Sequence, residues 1–130
     1  MTILGVGVDL VHVPTFADQL DLPGTRFASA FSPGERSDAR SHSSDSARHF
    51  AARWAAKEAV IKAWSASMYG SAPVMDEGIH GLIEVVTDAW GRPRIRLHGE
   101  VAKRLEEHTL ELSLSHDGDY AIAYVVLHSA

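Results

Sequence analysis

Apolar residues follow two rhythms along this chain. The opening run ILGVGVDLVHV alternates, placing Gly5, Gly7, Asp9, Val11 and Val13 on one face of a strand and Val6, Val8, Leu10 and His12 on the other. Both faces read as at least partly covered. Glycine packs nothing and costs backbone entropy in a strand, so Gly5 and Gly7 ahead of an acid predict that something approaches the backbone closely. Asp9 is then either a charge placed for a purpose or an edge-strand acid facing water.

The rhythm changes after Pro14. A short amphipathic segment runs towards Gly24, and in "FSPGER" Ser32 is a candidate N-cap, with Pro33 at the first helical position and Glu35 completing a capping box. After the polar "SDARSHSSDS", Ser44 or Ser46 starts the longest helix, SARHFAARWAAKEAVIKAWSAS. At about 100° per residue Phe50, Trp54, Ile61 and Trp64 form its core-facing stripe, with Lys57 in the middle of it. Glu58 borders Trp54, and Lys62 follows one turn later. They read either as a surface i,i+4 pair or, because an unpaired acid beside aromatics is costly, as a site with a cation or metal partner.

Beyond a loop at "GSAPVMDEG", "GLIEVVTDAWGRPRIRLHG" reads as two strands bent at Trp90, Gly91, Arg92 and Pro93. "EVAKRLEEH" is a short helix with Val101 and Leu105 inward, and "LELSLSHDGDYAIAYVVL" is a hairpin about "HDGD". Leu110, Leu112, Leu114 and His116 share one face of its first strand. These elements predict an α+β fold, a mainly antiparallel sheet packed by one long helix, as a single domain over 1–130.

Composition narrows the chemistry. There is no cysteine, hence no disulfide, thiol nucleophile or thiolate metal site, and a reducing, cytoplasmic setting is expected. The short first apolar run, interrupted by Asp9, is neither a signal peptide nor a membrane span. A net charge of −5 argues against general nucleic-acid binding, yet between Arg26 and Lys62 seven basic residues face four acidic ones. That local excess suits a phosphorylated small molecule or an acidic protein partner.

Four segments in order, "GVGVDLVHV", "RWAAKEAVIKAW", "DAWGRPRI" and "LSLSHDGDYAIAYVV", resemble the holo-[acyl-carrier-protein] synthases of the 4′-phosphopantetheinyl transferase family, most specifically at Ala55 to Ala63. The resemblance implies that family's fold and transfer of phosphopantetheine from coenzyme A to a serine of an acyl carrier protein, or a carrier domain of a fatty acid synthase, for fatty acid biosynthesis. The other product is adenosine 3′,5′-bisphosphate. It also implies Asp9 and Glu58 as ligands of Mg²⁺, a hard ion usually held by one or two carboxylates plus waters and substrate phosphates. By the same resemblance Lys62 contacts the pyrophosphate, Arg53 and His116 neutralise the ribose 3′-phosphate, and Gly91, Arg92 and Pro93 line the adenine pocket. A homotrimer with coenzyme A at subunit interfaces is implied too.

Two features depart from the family pattern. Thr15 stands before Phe16 where an arginine associated with carrier docking is common, which leaves Arg26, Arg40 and Arg48 as candidates for that contact. After the long helix "WSASMYGSAP" replaces a glycine-containing loop, where Ser65 and Ser67 could offer groups to phosphate. Glu58 and a water on the metal are both candidates for the base that takes the serine proton. Two other readings compete: a non-catalytic coenzyme A-binding or oligomerisation module of the same fold, which would not need Asp9, Glu58 and Lys62 together, and a magnesium-dependent nucleotide hydrolase, which would need a defined water-activating base.

Overall fold

A computed structural model describes residues 1–20, 22, 27–41, 45–75 and 78–130. Strand β1 (Ile3–His12) leads into helices α1 (Val13–Leu20), α2 (Phe27–Ala30), α3 (Pro33–Ser41) and α4 (Ser46–Ser67). A 3₁₀ turn (Ile79–Leu82) precedes the hairpin β2 (Ile83–Thr87) and β3 (Pro93–Leu97). Helix α5 (Gly99–Arg104) and the hairpin β4 (His108–Asp117) and β5 (Tyr120–Ser129) complete the chain. One antiparallel sheet has the order β1-β5-β4, and β2-β3 form a second. This is the expected α+β arrangement, with α4 lying on β1 and β5. Ser44, one of the two expected starts of α4, lies outside the described residues.

The two glycines of β1 are what bring α4 so near. A Cβ on Gly5 would stand 2.1 Å from the carbonyl oxygen of Ala63, and one on Gly7 2.0 Å from that of Ala59. Only small residues fit this contact, so the deepest face of α4 is Ala51, Ala55, Ala59, Val60 and Ala63 rather than the expected aromatic stripe. Trp64 of that stripe is buried, whereas Phe50, Trp54 and Ile61 are half-buried and fill wider gaps at the flanks. Helix α4 also runs through Ser67, so Ser65 and Ser67 belong to its last turn and not to a loop.

Lys57 is wholly buried, as its place in the stripe required. Its ammonium donates to Glu35 Oε1 at 2.9 Å, to the carbonyl of His80 at 3.1 Å and to that of Ile83. Burial pushes the Lys57 amine down, and the Glu35 charge and hydrogen bond oppose the shift. Glu35 closes the expected capping box with Ser32, at 2.9 and 3.1 Å, and its Oε2 also accepts from Val85 N at 2.8 Å. One carboxylate thereby ties α3, α4 and β2 together.

The outer face of β1 corrects the expectation that both faces are covered. Val6, Val8 and Leu10 are exposed beside Tyr120, Ile122 and Tyr124 of β5, with Val8 opposite Tyr124 and Leu10 opposite Ile122. A single chain leaves this apolar face open, because α4 covers only the other side of the sheet.

Candidate functional site

Asp9 follows Gly5 and Gly7 on the face of β1 that α4 approaches, so the helix must meet its carboxylate. Lys62, 54 positions on in sequence from Val8, donates to Asp9 Oδ1 and to the carbonyl of Val8, both at 2.9 Å. The cation that the helix spacing offered to Glu58 thus crosses to the strand. Burial raises the Asp9 carboxyl above its ordinary value, the Lys62 hydrogen bond and charge work against that, and the nearby charge of Glu58 raises it further. Asp9 and Glu58 line the same cleft, with His12, Phe16 and Trp54. Asp9, although on an edge strand, is therefore half-buried in this cleft and does not simply face water.

Two carboxylates that repel one another across a cleft suit a divalent cation, which turns the repulsion into a shared attraction. Among the described residues no cluster of three or more His, Cys, Asp or Glu encloses such an ion. Two hard oxygen donors fit Mg²⁺, which keeps several waters or phosphate oxygens.

A second cleft, of about 170 Å³, gathers Arg53 and His116 as expected, and adds Arg48, His49 and Ser115. His116 shares a face of β4 with Leu114, and so reaches the side of the sheet that α4 covers. Arg53 is buried, with Nη2 3.6 Å from Asp38 and an Nε that has no hydrogen-bond partner among the described residues. A buried guanidinium donor beside imidazoles and a second arginine is suited to a phosphate. Arg53 and Glu58 are five residues apart, about 140° round α4, and so face different clefts.

The bend at Gly91, Arg92 and Pro93 forms where expected but lines neither of these clefts. Asp88 organises it, accepting from Trp90 N and Arg92 N at 2.9 Å each and from Arg92 Nε at 2.6 Å. Hydrogen bonds from Arg92 hold the Asp88 carboxyl below its usual range, and Gly91 takes a φ of 80° that other residues resist. Arg92 lies over the Trp90 ring at 5.2 Å. Ser65 is exposed one turn beyond Lys62 and lines neither cleft.

Of the basic residues considered for docking, Arg26 lies outside the described residues, Arg40 is exposed near the end of α3, and Arg48 pairs with Asp45 at 3.0 Å. Thr15 Oγ1 stands 2.7 Å from His12 Nδ1, part of the start of α1. One residue beside the site escaped the sequence reading altogether. His80 lies with Nε2 3.3 Å from Glu58 Oε1 and its ring stacked on Trp54, and neither period nor spacing in "GIHGLIE" marks it.

Comparison with known proteins covers nearly the whole chain. The family model of the 4′-phosphopantetheinyl transferase superfamily matches residues 5–125. A holo-[acyl-carrier-protein] synthase of Mycobacterium ulcerans is 60% identical over 130 residues, all of both chains. The acyl carrier protein synthase of Mycobacterium tuberculosis superposes with a TM-score of 0.82 at 52% identity, covering 98% of this chain and 99% of that one. An ACPS–CoA complex from Chronobacterium ammoniagenes gives 0.90 at 49% identity, covering 97% of each.

Proposed function

The chain belongs to the 4′-phosphopantetheinyl transferase superfamily, and we propose that it is a holo-[acyl-carrier-protein] synthase acting as one such domain. The serine hydroxyl of an apo-acyl carrier protein attacks the coenzyme A phosphorus that bears the pantetheine arm. The phosphoanhydride bond breaks, adenosine 3′,5′-bisphosphate leaves, and the serine proton passes to a base, for which Glu58 and a water are the candidates. The observation that carries this reading is the convergence of Asp9 and Glu58 from two elements on one cleft, with the Lys62 ammonium bonded to Asp9, in a chain aligned end to end with a synthase of that reaction.

Asp9 and Glu58 are the residues that would hold Mg²⁺, whose chemistry here is to neutralise the pyrophosphate as negative charge moves onto the leaving group. Lys62, anchored at Asp9 and Val8, brings an ammonium to the same place. Arg53 and His116 receive the 3′-phosphate in their own cleft. The turn at Gly91, Arg92 and Pro93 and the hydroxyl of Ser65 stand apart from both clefts, which supports a homotrimer in which neighbouring chains complete each coenzyme A site. The open face of Val6, Val8, Leu10, Tyr120, Ile122 and Tyr124 supports the same assembly. We assign this enzyme to the cytoplasm, consistent with the absence of cysteine.

The test is incubation with an apo-acyl carrier protein, coenzyme A and Mg²⁺, read by mass. A carrier heavier by one phosphopantetheine in the complete mixture, and unchanged when the metal is chelated, is expected. No mass gain overturns the reading, and an undiminished gain in chelator overturns its magnesium component.

A further inference from the structure

We propose that His80 is a positioning residue that fixes the Glu58 carboxylate for the metal, an inference that rests on the reading of Asp9 and Glu58 as Mg²⁺ ligands. Trp54 and Glu58 are one turn apart on α4, so a ring laid flat on the first reaches the second. His80 does this. Its imidazole centroid is 4.4 Å from that of the Trp54 ring with the planes 10° apart, and its Nε2 is 3.3 Å from Glu58 Oε1. An ionised carboxylate only accepts, so the bond requires the proton on Nε2.

The turn that carries the imidazole is itself held through its backbone. The His80 carbonyl accepts from the buried Lys57 ammonium at 3.1 Å, and Lys57 is held in turn by Glu35 at 2.9 Å. Glu35 is fixed by Ser32 N and Val85 N. The 3₁₀ turn that carries His80 is thus anchored to the helix that carries Glu58, and the ring is clamped between stacking and a hydrogen bond. The side chains are 15% exposed for His80 and 31% for Glu58, so the bond is partly shielded from bulk water. A glutamate has several freely rotating bonds. Restricting them before a metal arrives removes an entropic cost that binding would otherwise bear, and losing such an outer partner lowers metal affinity by roughly 10–100-fold.

The experiment uses Mn²⁺ as probe, titrated into the full-length protein with coenzyme A and read by the electron paramagnetic resonance of free Mn²⁺, so that no turnover is involved. His80→Phe retains a ring for Trp54 but has no donor, and His80→Met supplies a second donor-free side chain. His80→Gln places an amide N–H near the position of Nε2 without the ring. We expect both donor-free variants to bind Mn²⁺ about tenfold or more weakly, with affinity restored towards wild type in His80→Gln. Wild-type affinity in a folded donor-free variant overturns the inference, as does an equal loss in the Gln variant, since the ring then serves only packing. If Asp9→Asn and Glu58→Gln leave Mn²⁺ binding untouched, the metal reading itself falls, which the His80 variants alone would not show.

Discussion

Gly7 of β1 and Ala59 of α4 meet backbone to backbone: a Cβ on Gly7 would lie 2.0 Å from the Ala59 carbonyl oxygen. Asp9 is two residues from the first and Glu58 one residue from the second, so this contact sets the separation of the two carboxylates. Gly7→Ala must push strand and helix apart. We expect a loss of about 1–3 kcal/mol in urea unfolding together with reduced transfer, although no reacting group is altered. Unchanged stability and turnover would show that the contact yields freely.

Asp9→Asn separates chemistry from folding. Transfer should fall by about 10²-fold or more, as for loss of a major electrostatic contact. Stability should move the other way in metal-free protein. The folded-state pKa of Asp9 is raised from 3.8, so between the two values the folded state binds more protons, and stability falls as pH rises through that interval. The asparagine variant should therefore melt higher than wild type at neutral pH. That advantage should vanish as pH drops below the ordinary carboxylate range. A lower melting temperature at pH 7 would mean that the Lys62 partnership outweighs burial.

The Glu35–Lys57 pair should behave as one unit. Lys57→Met alone leaves a buried carboxylate uncompensated and should cost about 3–5 kcal/mol. Adding Glu35→Gln, which keeps an acceptor for Ser32 N or Val85 N, should recover much of this. Denaturant midpoints of the four proteins in the cycle measure the coupling, and strictly additive losses would show that the two side chains are independent.

For the second cleft, Arg53→Ala should weaken coenzyme A by about tenfold or more, the equivalent of ~1.4 kcal/mol, and hardly affect dephospho-coenzyme A. Lys62→Ala should penalise both ligands, because both carry the pyrophosphate. Titration calorimetry gives the four affinities. Equal weakening of the two ligands by Arg53→Ala would remove Arg53 from the 3′-phosphate.

Val8→Glu, opposite Tyr124 on the open sheet face, should convert the proposed trimer to monomer in sedimentation and reduce transfer. Wild-type protein that sediments as a monomer at micromolar concentration with full activity would end the shared-site model.

Local chemistry settled much of this protein. Alternation located the strands, "HDGD" and "WGRP" located the hairpin turns, and the Ser32–Glu35 capping box formed where its spacing placed it. Asp9 was legible as a charge inside an apolar strand and Glu58 as an acid bordering an aromatic stripe, whereas Lys62 was marked by its spacing from Glu58 and Arg53 only by the family resemblance, which also gave each its expected role. What periodicity does not carry is how near two elements come and who meets whom across them. The deepest face of α4 is alanine because Gly5 and Gly7 admit the helix backbone itself. Lys62 pairs with a strand 53 residues away, and the Glu35 that caps α3 also neutralises Lys57. His80 lies in a short turn with no pattern, and only the packing of that turn against α4 brings its ring to Trp54 and Glu58. Hydrophobic rhythm encodes which face is buried. The distance between buried faces, and hence the partners of each charge, is decided by steric fit between segments far apart in sequence.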